Sequence, residues 1–360
     1  MAIDKKHSLE FRKLVLINKA NKRWRAAHRR RRRGLSPRSL EILRSLRLRK
    51  DFPGYTIITA PKEFSLSSNE VKTLDFLREI DSYYQEGSKV LIRLDGVKTI
   101  TTDAILLLMA TMVRFKSAKI DFNGTVPSNK EVRTKVEKSG FYSYLYGKEI
   151  ENKEEYSFNN IESRLYTHGQ KRVDSRLAHD LVYHASSFVW GEPRRCQGVQ
   201  KTLLELMHNT YDHADSIKGE KHWWLAVERD KKNQEVTFAF IDFGVGIFRS
   251  LRNKKQDEPL YGALDKLLAK FPLVKNEAEL LKLILEGYIR RTQSKKYNRG
   301  KGLSKIHTLY KENKISSLVM ISNKASAHVD SDDYHVLQDE FLGTFISFKI
   351  NTQTVSLPWI

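Results

Sequence analysis

Across Glu235–Phe243 apolar residues recur at every second position, so that Val236, Phe238, Phe240 and then Asp242 share one face of a strand. His222–Arg229 alternates as well, and β-branched or apolar content predicts strands at Tyr55–Ala60, Val90–Leu94, Ala118–Phe122, Ser317–Ser322 and Gly343–Ile350. Spacings of three and four predict helices at Asn69–Tyr84, Asp103–Phe115, Asn129–Lys138, Val173–Val189, Leu260–Phe271 and Glu277–Arg291. One further helix carries Glu205, Asn209 and His213 four residues apart on one face. Its other face, Leu203, Met207, Thr210 and Ala214, suits packing onto a sheet. Residues 148–172, rich in Glu, Lys and Asn, read as a linker.

Charge changes the picture at the N-terminus. Residues 1–50 hold a net +15 of the chain's +21. Arg23, Trp24 and Arg25 precede the run Arg29, Arg30, Arg31, Arg32 and Arg33, on a helix-compatible stretch that Gly34 and Ser36-Pro37 break. Such an arm would neutralise phosphates of DNA or RNA, with Trp24 free to stack on a base. It would equally dock on an acidic protein. No run of about 18 apolar residues exists, so no membrane span is expected. One cysteine, Cys196, rules out an intramolecular disulfide and fits a reducing, cytoplasmic compartment. The histidines are scattered without cysteine partners, and no zinc site is expected.

Candidate chemistry gathers in the second half. A carboxylate and an amide one helical turn apart, Glu205 and Asn209, suit a divalent cation and a water. The strand ending at Asp242 runs into Gly244-Val245-Gly246, where a backbone can approach a ligand closely while the carboxylate accepts a hydrogen bond. Arg299-Gly300-Lys301-Gly302-Leu303-Ser304-Lys305 opens a helix, and glycines there with nearby cations form a phosphate cradle. The last predicted strand begins Gly343-Thr344-Phe345.

Taken in order, Glu-x3-Asn-x3-His, Asp-x-Gly-x-Gly, Gly-x-Gly-Leu and Gly-Thr-Phe resemble the four nucleotide boxes of the GHKL ATPase family. The resemblance covers residues 173–360. It implies a two-layer α/β sandwich with a mixed sheet, ATP as ligand and Mg²⁺ held through Asn209. It also implies adenine recognition by Asp242 with Thr344 in support, and Gly244 and Gly246 beneath the base. Phosphate contacts would come from Gly300, Gly302 and Leu303 with Arg299, Lys301 or Lys305. Glu205 would be the catalytic base, and residues from about 247 to 299 would form an ATP lid. Residues 51–147 resemble the STAS domain, on the stretch Leu94-Asp95-Gly96-Val97-Lys98-Thr99-Ile100-Thr101-Thr102-Asp103-Ala104. That domain carries a phosphorylatable Ser or Thr where this chain has Asp103, beside Thr101 and Thr102, and it implies a protein partner.

The expected fold is therefore α/β (α+β): a basic helical arm over 1–50, the STAS-like domain, the linker, and the ATP-binding domain. The expected activity is a GHKL-type ATPase acting as a nucleotide-driven switch, with a homodimer as an open arrangement. A Ser/Thr protein kinase of the anti-sigma-factor type and a non-hydrolysing ATP-bound scaffold are the alternatives.

Overall fold

The computed structural model describes residues 37–146, 163–168, 173–213, 223–254, 261–289 and 302–358. The chain divides into two compact units, Met1–Ile57 and Ile58–Ile360. The first contains helix α1, Pro37–Asp51, which carries Arg44, Arg47 and Arg49 and exposes Ile42, Leu43 and Leu46. The helix expected before it, with Arg23, Trp24, Arg25 and Arg29 to Arg33, lies outside the described residues.

From the end of the first unit, where Thr56 begins a strand, into the second, strands alternate with helices. β1 (Thr56–Thr59), β3 (Val90–Arg93) and β5 (Phe122–Gly124) form a three-stranded sheet in that order, and β2 (Glu63–Phe64) pairs in parallel with β4 (Thr99–Ile100). In helix α2 (Leu66–Glu86) Ser65 caps a first turn, accepting from the Ser68 N–H, and the chain kinks at Asn69, where the expected helix begins. Helix α3 (Thr102–Ser117) is buried on nearly every side, as a helix apolar all round must be. Strand β5 begins four residues later than expected. Helix α3 runs on to Ser117, and Lys119 then turns the chain at a positive φ of 57°. Helices α4 (Lys130–Lys138) and α5 (Phe141–Tyr146) close this part.

The C-terminal part is built on five strands in the order β10, β11, β9, β8, β6. They are β6 (Ser163–His168), β8 (Trp223–Asp230), β9 (Glu235–Asp242), β10 (Ser316–His328) and β11 (Asp333–Asn351). A short β7 (Arg194–Arg195) pairs separately with β12 (Leu357–Pro358). The expected mixed sheet is not what forms. Every pair in this five-stranded sheet is antiparallel, and short turns between successive strands impose this for β8–β9 and β10–β11. Strand β6 falls inside the expected linker and pairs Ser163–His168 with Trp223–Glu228. Strand β10 runs six residues beyond its expected end, and β11 starts ten residues before its own.

Helices α6 (Ser175–Trp190), α7 (Gln197–His213), α10 (Glu277–Leu285) and α11 (Gly302–Lys311) cover one face of this sheet. Val236, Phe238, Phe240, Ile346 and Phe348 form its side of that core. Helix α8 (Gly246–Arg252) and helix α9 (Ala263–Lys270) lie in the segment expected to be a lid. Phe248, Leu264, Leu267, Leu281 and Leu285 from that segment are buried in the same core.

The other face of the sheet is also covered. Trp224, Ala226, Ala239, Ile241 and Phe345 share one core with Ile105, Leu108, Met112 and Phe115 of α3. The five-stranded sheet is therefore the middle of three layers. Glu228 of β8 ties the junction by accepting from the Thr102 hydroxyl and from Lys135 Nζ. Glu228→Ala leaves both donors at a half-buried site, and it is expected to lower unfolding stability by about 1–3 kcal/mol in urea titration. Thr102 is thus held at the start of α3 with its hydroxyl committed, while Thr101 occupies the N-cap position without a side-chain cap bond. A phosphoryl group on Thr102 would be aimed at the Glu228 carboxylate, so this face does not favour one there.

Candidate functional site

Helix α7 and strands β9 and β11 meet at a single cavity of about 150 Å³. The alternation that buries Val236, Phe238 and Phe240 continues one step further and turns Asp242 toward the helices, where it lines this cavity. Antiparallel pairing sets Thr344 directly across from Asp242. From the helix layer, Asn209 lines the wall one turn beyond Glu205, and Gly244 and Gly246 line it just after β9. Leu303 and Ser304, in the first turn of α11, supply another side. Ile247, Leu251, Ile284 and Ile289 make the rest of the wall mostly apolar, with Ser250 and Lys254 among the polar exceptions.

Asp242 has the most distinctive electrostatics here. Its Oδ1 accepts from the Gly244 N–H at 2.8 Å, closing a short turn. Its Oδ2 takes no hydrogen bond from the described residues. Burial in the cleft pushes its carboxyl up to about 6, against the pull of that one N–H donor. At neutral pH it is an ionised acceptor in an apolar recess, suited to a ligand N–H donor.

Glu205 and Lys305 are not among the described residues that line the cavity. They form an ion pair with each other, joining α7 to α11. Gly302 is the first residue of α11. Arg299, Gly300 and Lys301 lie outside the described residues. Among the described residues no group of three His, Cys, Asp or Glu side chains could hold a metal ion.

The loop after Asp242 is held from two sides. Phe243 lies under the Arg114 guanidinium of α3, 5.2 Å from ring centre to cation. Arg114 also sits 4.4 Å over Tyr84 and binds Asp81 at 2.6 Å. From β10, Ser322 accepts from the Ile247 N–H at 2.9 Å and donates to the Gly343 carbonyl at 3.0 Å. Sequence reading missed Ser250, Lys254, Ser322 and Asn323. No motif marks them, since each reaches the site through tertiary packing rather than by a short spacing from the glycines. The bare Ser322-Asn323 pair inside an apolar strand was the one available hint. No family model matches the chain, and no curated protein matches it.

Proposed function

We propose that this chain binds Mg-ATP in the cavity between α7 and β9, and that it is an ATPase of the GHKL type that works as a nucleotide-driven switch. One observation carries the reading: Asn209, Asp242, Gly244, Gly246, Leu303 and Thr344, spread over 136 positions of sequence, line one cavity. The residues present suit the ligand. Asp242 has an unoccupied oxygen in an apolar recess, as the exocyclic amine of adenine requires. Asn209 would give Mg²⁺ one oxygen, with triphosphate and water filling the remaining positions. Bound Mg²⁺ would supply charge neutralisation at the phosphates.

Glu205 would take the proton from the attacking water. For that it must leave Lys305, and an incoming phosphate is a competing partner for that lysine. Arg114 over Phe243 connects the base-binding loop to the STAS-like segment, which supports coupling between nucleotide occupancy and a protein-binding surface. The basic arm over 1–50 would meet nucleic acid or an acidic protein.

The Glu205–Lys305 pair favours a second reading, in which ATP is bound but not hydrolysed. One assay separates the two: ATP binding and phosphate release for wild type and Glu205→Ala. The ATPase reading expects turnover to fall by about 10²–10⁴ with affinity within a few-fold. Binding without turnover in the wild type supports the scaffold. Absence of ATP binding by the wild type rejects both.

A further inference from the structure

Helix α8 begins at Gly246, immediately beneath the cavity, and its first N–H groups need acceptors that the helix cannot supply. No local side chain caps it. The acceptors come from 75 positions away. Ser322 takes the Ile247 N–H, and the Asn323 Oδ1 takes the Phe248 N–H at 3.0 Å. The other end of the same amide donates to the Val245 carbonyl at 3.0 Å and to Glu340 Oε1 at 2.8 Å. Glu340 in turn pairs with Arg249 of α8.

Asn323 sits where β10 departs from regular pairing, at a φ of 52°. Asparagine tolerates that left-handed backbone better than most residues. It is buried, so each of its polar contacts matters. The two backbone partners settle its orientation: an N–H requires the oxygen and a carbonyl requires the nitrogen. A carboxylate would keep the acceptor and lose both donors. A glutamine would be one methylene too long. A carboxamide on this short stem satisfies all three partners. The fit is close enough that a β-carbon on Gly246 would stand 2.4 Å from the Asn323 Oδ1.

We infer that Asn323 is a positioning residue for the ligand-binding loop, holding Val245 and the first turn of α8 at the height where Gly244 and Gly246 can pass beneath a bound base. The inference rests on the nucleotide reading for the identity of the base. Asn323 acts through this loop and touches neither phosphate nor attacking water. Its loss should therefore weaken base binding and leave the chemical step alone.

Two measurements on the full chain test this. Asn323→Gly keeps the backbone conformation and removes the side chain. Asn323→Asp keeps the shape and one acceptor, and it covers the case in which the glycine variant fails to fold. Without nucleotide, amide exchange at Ile247 and Phe248 should quicken by about tenfold or more in the variants, with amides of β9 unchanged. With ligand, Kd for Mg-ATP and for adenosine should rise by the same factor, about tenfold, and KM with them, while kcat stays within about twofold. Unchanged exchange in both variants overturns the inference whatever happens to ATP. Faster exchange with wild-type affinity also overturns it, since binding then does not depend on the held loop. A wild type that binds neither ATP nor adenosine sinks the nucleotide reading, and this inference with it.

Discussion

Asp242→Asn should weaken ATP binding at least about 100-fold and at the same time make the protein more stable. Burial pushes the Asp242 carboxyl from its usual value near 3.8 up to about 6. Between those two pH values the folded chain binds a proton that the unfolded chain has released. Stability therefore falls as pH rises through this window, and the full cost is present above about 6. Moving a carboxyl from 3.8 to about 6 corresponds to roughly 3 kcal/mol, and solvent reaching the half-buried group reduces it. Asparagine carries no charge and its oxygen can still accept from Gly244. The variant should melt several degrees above wild type at pH 7.5, and the gap should close as the pH is lowered toward 4. Binding should move the other way. The amide sets an N–H where the adenine amine also donates, and affinity should drop by at least about 100-fold, measured by titration with Mg-ATP. Wild-type affinity should itself weaken by about tenfold per pH unit below 6, as the carboxylate is protonated. A variant that melts lower than wild type and binds ATP normally would reduce Asp242 to a turn residue serving Gly244.

Opposite effects on stability and binding would also explain why a charge is kept there. The strand pattern that places Asp242 inside is the pattern that buries Phe238 and Phe240, so its dehydration follows from β9 itself. A carboxylate kept in that position at a stability cost is what a binding site demands.

Much of this was legible in single stretches of sequence. The alternation through Asp242, the helix bearing Glu205 and Asn209, and the strand after Gly343 all appear with their register intact. What was lost has identifiable physical causes. Strand β6 sits among polar residues and is specified by its ladder with Trp223–Glu228, which no local pattern reveals. The expectation ends β10 at Ser322, where polar Asn323 and Lys324 follow; Asn323 takes a left-handed backbone there, and the chain resumes pairing at Ala325. The three-layer arrangement did leave a trace. The alternation expected over His222–Arg229 overlooks that Trp223-Trp224-Leu225-Ala226-Val227 is apolar at every position. Such a run indicates a strand covered on both faces, and here α3 supplies the second cover. The pairing of Glu205 with Lys305 was beyond reach, since it depends on how α7 and α11 sit side by side.

The largest loss of stability should come from a single methyl group at Gly343. Its φ is 95°, a conformation that side chains avoid, and a β-carbon there would lie 1.8 Å from the Asp242 carbonyl oxygen. The nearest atoms beyond that oxygen are also backbone, at 2.8 and 2.9 Å, so no rotamer change can make room. Neither can the strand withdraw. Thr344 is in register with Asp242, and the Gly343 carbonyl accepts from the buried Ser322 hydroxyl. Gly343→Ala should therefore cost about 4 kcal/mol or more, lowering the melting temperature by roughly 10 °C, or prevent folding outright. Gly87→Ala is the control. It also has positive φ, 70°, but open space around it, and should cost only about 1–2 kcal/mol. The contrast separates backbone strain, common to both, from the collision at Gly343 alone. Equal losses in the two variants would mean that β11 does not pass so close to the end of β9, and then Thr344 would not stand across from Asp242 either.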